Sequence, residues 1–320
     1  MNAYAREKSL SQVAAIIVTY QPNAILLARV LERLSEQVAK IYLIDNTPNT
    51  QLEGIVWLEK KWLTQFTAPI AFYPQGKNLG VAKAQNIGIE QAFADHMQDL
   101  IFFDQDSSPP KNLSTQLLEA RGQLEARGVK VGMIGPTILD EKSHEYSPII
   151  QADLFWVRGY PVDLLATQPI ATEYIISSGS LISAGALQEV GLMNESLFID
   201  WVDIEWGLRA QTYGLVNYVT PTIRMDHSIG DDFLRINNRI IYLHSDLRNF
   251  YIVRNAAYLV SHCRYKLAWK VTVLVKLPLY ILFFTLHAKC EKPLAFKVMI
   301  KGLVYGFIGK MGVAPKNLFK

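Results

Sequence analysis

Cysteine is nearly absent from this chain of 320 residues, which contains only Cys263 and Cys290. Two cysteines cannot build a disulfide framework, and they fit a reducing compartment. No apolar h-region precedes the first strand-like segment, so we expect no secretory signal peptide. The sequence also has no internal repeat and no low-complexity linker. Together these absences exclude a disulfide-stapled scaffold and a repeat array.

Long uncharged runs are also missing from the C-terminal region, where Leu277–Ala288 is the longest, at twelve residues. A membrane-spanning helix needs about twenty residues, so this criterion predicts no span. Acidic side chains are scarce there too: residues 261–320 carry eleven Lys or Arg and one acid, Glu291. The net charge of +3 therefore combines an acidic body of −7 with a basic tail of +10.

The tail predicts two helices, Lys266–Ala288 and Pro293–Gly312, each apolar with lysines at intervals. Lysines four residues apart share one helical face, as in the pairs Lys266 with Lys270 and Lys297 with Lys301. This pattern favours two helices lying on an anionic membrane surface. The alternative is an ordinary helical subdomain packed on the body.

The first half alternates short apolar runs with helical patterns, which predicts a parallel sheet covered by helices on both faces. The predicted strands are Val13–Val18, Ile41–Ile44, Ile70–Tyr73, Leu100–Phe103 and Val131–Ile134. The predicted helices are Ala24–Val38, Leu52–Trp62, Gly80–Phe93 and Asn112–Ala126. Further on, we expect a strand at Glu173–Ser178, helices capped by Ser183 and by Asp203, and a long helix over Leu243–His262.

Two carboxylates follow the strand Leu100–Phe103, in the sequence Asp104-Gln105-Asp106. Ligands of open α/β sheets bind at this carboxyl edge, and side chains two residues apart along a strand point the same way. Two adjacent carboxylates repel each other unless a cation lies between them. Oxygen ligands of this kind favour Mg²⁺ or Mn²⁺, which also bind phosphate oxygens.

Polar residues follow the other predicted strands, so they are expected on the same rim. They are Thr19 and Tyr20 after the first strand, Asp45 and Asn46 after the second, and Lys77-Asn78-Leu79-Gly80 after the third. Asp45 is suited to accept a hydrogen bond from a base, and Tyr20 to cover the face of that base. Asn78, Gly80 and the following helix start are suited to ribose or phosphate.

Four segments, 14–20, 44–46, 77–88 and 103–106, resemble the nucleotide-sugar half of family-2 glycosyltransferases with the GT-A fold. Segments 199–206 (IDWVDIEW) and 226–230 (DHSIG) are similar to those of bacterial rhamnosyltransferases that build surface polysaccharides. The resemblance extends over about residues 13–260, and the basic tail is also similar. It implies a nucleotide-sugar half at 1–136, an acceptor-binding and catalytic half of the same domain at 137–262, and the tail at 263–320.

The resemblance also implies roles for individual residues. The donor-binding residues would be Thr19, Tyr20, Asp45, Asn78, Gly80, Asn86, Asp104, Gln105 and Asp106. The metal, Mg²⁺ or Mn²⁺, would be held by Asp106 and His227, with Asp104 beside them. Asp203 matches the general base of the family's Glu-Asp pair, but Val202 replaces the Glu, so Asp200 and Glu205 remain alternatives. Gly179, Trp201 and Trp206 would face the acceptor.

The implied activity is inverting transfer of a sugar, best matched by L-rhamnose from dTDP-L-rhamnose, to a lipid-linked or growing polysaccharide acceptor. We expect a peripheral protein on the cytoplasmic face of a bacterial inner membrane, without a nucleic-acid partner and with homo-oligomerisation left open. One alternative is a nucleotide-sugar pyrophosphorylase, although Thr19-Tyr20-Gln21-Pro22-Asn23 supplies no Gly-rich loop with Arg and Lys. A non-catalytic membrane-surface scaffold is the other, and it would not need the acidic residues and His227 together.

Overall fold

The computed structural model describes residues 10–49, 63–227, 232–236 and 239–319, so the predicted helix Leu52–Trp62 lies outside the described residues. The strands are β1 Val13–Thr19, β2 Lys40–Asp45, β3 Ile70–Pro74, β4 Asp99–Asp104, β5 Val131–Asp140, β6 Ile149–Ala152, β7 Val157–Tyr160, β8 Ile170–Thr172, β9 Leu181–Ser183, β10 Val216–His227, β11 Asp232–Ile236 and β12 Arg239–Leu243. The α-helices are α1 Ala24–Ser35, α2 Val81–Ala94, α3 Leu113–Glu125, α4 Ala184–Val190, α5 Val202–Thr212, α6 Asp246–His262, α7 Leu267–Leu286 and α8 Lys292–Phe307. A 3₁₀ turn, Glu195–Leu197, precedes α5.

Eight of the strands form one sheet in the order β3-β2-β1-β4-β9-β5-β10-β8. The pairs β3/β2, β2/β1, β1/β4 and β5/β10 are parallel, whereas β9 and β8 run antiparallel to their neighbours. The predicted α/β architecture with a mostly parallel sheet is therefore confirmed. Strands from both predicted halves, 1–136 and 137–262, belong to this sheet, and β9 joins them.

Helices cover both faces of the sheet because its strands are apolar on both sides. In β1, Val13, Ala15 and Ile17 pack on one side with residues of α1 and α3. Ala14 and Ile16 pack on the other side with residues of α2, α4 and α5. Alternation along the strand thus divides the core into two layers and leaves only the strand ends for polar residues.

Three predictions in the middle of the chain need correction. Strand β5 continues through Gly135-Pro136 to Asp140, because β10 pairs with it on both sides of a register shift. Residues 173–178 form no strand, and the strands lie on either side of them in β8 and β9. Asp203 is not the cap of α5: Trp201 occupies the cap position, and Asp203 lies in the first turn. The predicted Ser183 cap is present, with its hydroxyl accepting from the Ala186 amide at 3.1 Å.

The C-terminal helices α7 and α8 pack on α6 rather than extending away from the body. Gly302 and Gly306 allow this close packing, because a Cβ at Gly306 would lie 2.2 Å from the Arg254 carbonyl oxygen. Helix α7 is also anchored at its start, where buried Glu173 accepts hydrogen bonds from Lys266 at 2.7 Å and Trp269 at 2.9 Å.

Helix α7 has twenty residues, and its most apolar eighteen-residue window has a mean hydropathy of 1.7. By length and composition it is therefore long enough to cross a membrane, contrary to the expectation from uncharged runs. Two lysines, Lys270 and Lys276, interrupt the run without making the helix polar. Because 39% of that window is buried inside the protein, packing on the body accounts for part of its apolar character.

Candidate active site

The ends of β1, β2 and β4 lie side by side and bring the predicted donor residues to one edge of the sheet. The parallel register aligns Thr19 with Asp45, and Val18 with Asp104. A second link joins the loops beyond these strands, since the Tyr20 amide donates to Gln105 Oε1 at 2.8 Å. The convergence of these strand ends on one rim is therefore observed in the structure.

Asp45 is a fully buried carboxylate at this edge. Its Oδ1 accepts hydrogen bonds from the Thr19 hydroxyl at 2.7 Å and the Thr47 hydroxyl at 2.8 Å. Among the described residues its Oδ2 is buried without a hydrogen-bond partner. A buried acceptor in this state is costly unless a ligand donor meets it. Tyr20 nearby is 40% exposed.

The Asp104-Gln105-Asp106 turn is tightly supported from beneath. Ser107 accepts from the Asp104 amide at 3.2 Å and donates to the Asp104 carbonyl at 3.0 Å, and it shares a 2.6 Å hydrogen bond with the Ser178 hydroxyl. Asp106 at the far side of the turn is exposed. The turn therefore presents two carboxylates from a fixed backbone.

His227 reaches the same turn from the end of β10, because Ser108 and Asp226 form an isolated bridge. The ring is mostly buried, and its Nε2 lies 3.5 Å from Asp104 Oδ2. Its Nδ1 is buried and has no hydrogen-bond partner among the described residues. The neighbouring Ser228-Ile229-Gly230 of the motif lies outside the described residues.

Desolvation in the cleft raises the pKa of Asp104, and the charge of Asp106 raises it further, whereas His227 and Arg248 oppose this shift. The carboxylate still has 49% of its side-chain surface exposed, so it faces an opening. Two neighbouring carboxylates and one imidazole are a donor set that suits Mg²⁺ or Mn²⁺. Within the described ranges no three His, Cys, Asp or Glu side chains are already gathered as a metal site. An ion held by these three side chains would need phosphate or water oxygens as its remaining ligands.

Asp203 faces this turn from the first turn of α5. Its carboxylate accepts hydrogen bonds from the Ser177 amide at 3.1 Å and the Ile204 amide at 2.8 Å. Desolvation by burial raises the pKa of Asp203 to about 6, the charge of Asp104 adds to this rise, and the two amides partly offset it. A carboxylate with such a pKa can accept a proton near neutral pH.

The two alternative bases are both committed to arginines. Asp200 pairs with Arg248 at 2.6 Å, and buried Glu205 accepts two hydrogen bonds from Arg209 at 2.9 and 3.0 Å. Glu205 also accepts from the Tyr265 hydroxyl at 3.2 Å. Among the described residues, Asp203 is the one of these three acids whose carboxylate accepts hydrogen bonds from backbone amides and has Asp104 as a charged neighbour.

The predicted ribose and phosphate contacts fall into two groups. Asn78 accepts from the Gly80 amide at 2.9 Å, at the exposed approach to α2. Asn86 is buried, with its amide nitrogen donating to the Met193 carbonyl at 2.9 Å and to Glu195 at 3.1 Å. Asn86 therefore holds the loop at 193–195 instead of facing a ligand. This corrects its assignment as a residue that contacts the nucleotide-sugar donor.

Two of the three predicted acceptor contacts also need correction. Trp206 is 0% exposed and donates to the Gly191 carbonyl at 2.8 Å, so it is a core residue. Gly179 is buried, and a Cβ there would lie 2.9 Å from Met225, so the absence of a side chain allows Met225 to pack against the backbone. Trp201 is partly exposed at the start of α5, with its ring 6.5 Å from that of Trp269.

Sequence reasoning missed three contributors to the site: Thr47, Ser177 and Arg248. Thr47 and Ser177 lie within two residues of Asp45 and Gly179, which the motifs singled out. Their positions in the sequence could therefore have marked them as candidates for the hydrogen bonds that they make to Asp45 and Asp203. Arg248 had none, because its approach to Asp200 and the turn depends on how α6 packs.

Similarity to known proteins agrees with this arrangement. The model of the family described as Glycosyl transferase family 2 matches residues 14–191. The dTDP-rhamnosyl transferase RfbF of Shigella flexneri is 34% identical over 247 residues, which cover 77% of this chain and 79% of that protein.

Two solved structures share the fold over most of the chain. The crystal structure of GalNAc-T7 with UDP, GalNAc and Mn²⁺ has a TM-score of 0.56 at 15% identity, covering 95% of this chain and 59% of that one. S. aureus TarS 1–349 in complex with UDP also has a TM-score of 0.56, at 13% identity, covering 92% of this chain and 80% of that one. These likenesses show a GT-A fold. With the family match over more than half its length, the chain belongs to glycosyl transferase family 2.

Proposed function

We propose that this glycosyltransferase moves L-rhamnose from dTDP-L-rhamnose, with inversion, to a lipid-linked or growing polysaccharide acceptor. The observation that carries the donor is the 34% identity to a dTDP-rhamnosyl transferase over 77% of the chain. The geometry of the rim supports the reaction type. Asp45 offers a buried hydrogen-bond acceptor for a nucleobase, and the Asp104-Gln105-Asp106 turn and the separate carboxylate of Asp203 lie around the same edge.

Asp45 would receive the base of the donor, through the Oδ2 atom that has no partner among the described residues. Tyr20 would cover the base, because its side chain is exposed beside Asp45 and its backbone is fixed by Gln105. The acidic turn would then lie at the diphosphate, where carboxylates alone would repel the phosphates.

Asp104, Asp106 and His227 would hold Mg²⁺ or Mn²⁺ at this turn. Such an ion would supply positive charge for the diphosphate as it leaves. His227 would use Nε2, the atom that already faces Asp104 at 3.5 Å. The presence of Mn²⁺ with UDP in the GalNAc-T7 structure supports a divalent ion here.

Asp203 would act as the general base. It would accept the proton of the acceptor hydroxyl as that oxygen attacks the anomeric carbon from the face opposite the diphosphate. The Ser177 and Ile204 amides hold the carboxylate in place, and its burial favours the protonated form once the proton arrives. A positioned base contributes roughly 10²–10⁴ in rate.

The acceptor would be met at the surface of an anionic membrane, on the cytoplasmic side. Helix α7 exposes an apolar stripe of residues four and three apart: Val275 49%, Leu279 64%, Leu282 58% and Leu286 54%. Helix α8 likewise exposes Phe296, Val304 and Phe307. Apolar residues at this spacing beside lysines suit an interfacial helix that can meet a lipid-borne substrate.

The test is product formation from dTDP-L-rhamnose and a bacterial lipid extract, followed by mass spectrometry with and without Mn²⁺. We expect a mass increase of one deoxyhexose on a lipid-linked acceptor, and loss of product on chelation. UDP-glucose and GDP-mannose serve as control donors, each tested in place of dTDP-L-rhamnose under the same conditions. Transfer from one of these in place of dTDP-rhamnose would contradict the donor, and full activity after chelation would contradict the metal.

A further inference from the structure

The loop of residues 196–201 leads directly into α5 and has an unusual backbone. Phe198, Asp200 and Trp201 have φ angles of +67°, +63° and +66°, although none is glycine. Side-chain-bearing residues adopt this region rarely, and they remain there only when surrounding contacts hold them. Two residues after this loop comes Asp203, the proposed base.

The same loop also touches the donor side of the cleft. The Phe198 carbonyl accepts from the Val81 amide at 2.7 Å, at the first residue of α2. Gly80 makes this approach possible, because a Cβ there would lie 2.5 Å from the Phe198 carbonyl oxygen. The position of the loop therefore sets the spacing between the start of α2 and the start of α5.

Asn255 of α6 holds the loop from behind, and it is fully buried. Its side-chain nitrogen donates to three loop carbonyls, those of Leu197 at 3.0 Å, Ile199 at 2.8 Å and Asp200 at 3.0 Å. Arg254 orients this amide, since its Nε and Nη2 donate to Asn255 Oδ1 at 3.0 and 2.9 Å. The nitrogen consequently points toward the loop.

The segment that follows α8 joins the hydrogen bonds that Asn255 and Arg254 make with the loop, and together they form one hydrogen-bond cluster. The Gly312 amide donates to the Ser196 carbonyl at 2.8 Å, and Arg254 Nη1 donates to the Gly312 carbonyl. The Arg254 guanidinium also lies over the Tyr251 ring, whose hydroxyl accepts from the Ala314 amide at 2.8 Å. The C-terminal segment thus contacts the first residue of the loop and the arginine that orients Asn255.

We propose that Arg254, Asn255 and the segment around Gly312 position the loop 196–201 and, through it, Asp203. The C-terminal region would then be required for the chemical step as well as for the proposed contact with the membrane. This inference rests on the proposed function, because Asp203 is the group that is positioned. These residues act through the loop and touch neither substrate. Their loss should therefore reduce kcat while leaving nucleotide binding by Asp45 and the acidic turn nearly intact.

Two variants test this. Asn255→Leu keeps the size of the side chain and removes all three hydrogen bonds to the loop. Gly312→Ala is gentler: no atom lies within 4 Å of the added Cβ, so it acts through a φ of +83°. The control is Met299→Ala, a buried residue among α6, α7 and α8 outside the hydrogen-bond cluster. Thermal unfolding reports whether each variant folds.

We expect kcat to fall by about tenfold to a hundredfold in both variants, as for a misplaced catalytic group. The Kd of dTDP with Mn²⁺ should stay close to that of the unaltered enzyme. The low-pH limb of kcat/KM should move as well, because the Asp203 carboxylate would shift relative to the Ser177 amide that holds it and relative to Asp104. Met299→Ala should lower stability and leave kcat and this limb unchanged.

Hydrogen exchange of the ligand-free protein gives a readout independent of the reaction. Peptides over 196–204 should exchange faster in Asn255→Leu and Gly312→Ala, and not in Met299→Ala. Unchanged exchange there, or an equal loss of kcat in the control, would overturn the positioning role. If the unaltered enzyme fails to transfer rhamnose, the proposed function falls, and the exchange comparison still decides whether these residues hold the loop.

Discussion

At the scale of single residues, three acids within six positions illustrate how packing separates chemically similar side chains. Asp200 and Glu205 are paired with arginines, whereas Asp203 is held by amides and lies beside another carboxylate. Charge pairing stabilises the ionised form of a carboxylate, and desolvation favours the neutral form. Asp203 is therefore the acid best suited to take up a proton.

Replacing Asp203 by Asn should lower kcat by roughly 10²–10⁴, the range of a positioned base, because the amide cannot accept the proton. Titration with dTDP and Mn²⁺ should give an unchanged Kd. The matched control is Asp200→Asn, since Asn tolerates the φ of +63° at that position. A kcat loss in Asp200→Asn that equals that of Asp203→Asn would contradict the assignment of Asp203, and not Asp200, as the general base.

The pH dependence of kcat/KM follows from the same residue. A base works when deprotonated, and kcat/KM reports the free enzyme, so kcat/KM should be nearly constant above pH 7 and fall as the pH drops through about 6, the pKa of Asp203. Burial is the main cause of this raised value. Steady-state rates measured from acid to neutral pH check it. A profile that stays flat down to about pH 4, the ordinary range of Asp, would contradict the assignment.

At the scale of elements, the ends of the strands were more predictable than the connections between them. Buried runs such as Leu100–Phe103 identify a strand by their short length and the turn-forming residues that bound them, and the polar residue that follows then lies at the edge. The segment 173–180 was read wrongly, because the strand predicted at Glu173–Ser178 is absent from the structure. Its Gly179 amide donates to the Phe102 carbonyl of β4, its Ser178 hydroxyl bonds to Ser107 beneath the acidic turn, and its Ser177 amide donates to Asp203. These contacts join residues far apart in sequence.

The apolar stripe of α7 gives a prediction at this scale. The double variant Leu279→Glu with Leu282→Glu should lose most binding to vesicles that contain anionic phosphatidylglycerol, because each change places a charge at the apolar boundary. Co-sedimentation with vesicles measures this. Leu165→Glu is the control, since Leu165 is 90% exposed and lies outside the C-terminal helices. Equal binding by the double variant and the control would exclude this stripe as the membrane contact.

At the scale of the whole molecule, the separation of charge gives a further expectation. The tail carries a charge of +10 and the remainder −7, so an anionic surface should attract one end of the chain and repel the other. Binding to anionic vesicles should therefore weaken as NaCl rises, because the screening length falls to about 3 Å at 1 M salt. Binding to neutral vesicles should be weak at all salt concentrations. Salt-independent binding would show that apolar contact alone holds the protein there.

The sequence by itself determined the alternation of strands and helices, the acidic turn after β4 and the basic tail. These depend on local periodicity, on residue type and on short spacing along the chain. Only the tertiary structure decided that Trp206 and Gly179 are buried, that Asn86 serves a loop, and that Asn255 and Gly312 hold the approach to Asp203. The reason is physical: burial and hydrogen-bond partners depend on residues up to about a hundred positions away, and no local pattern encodes which of them meet.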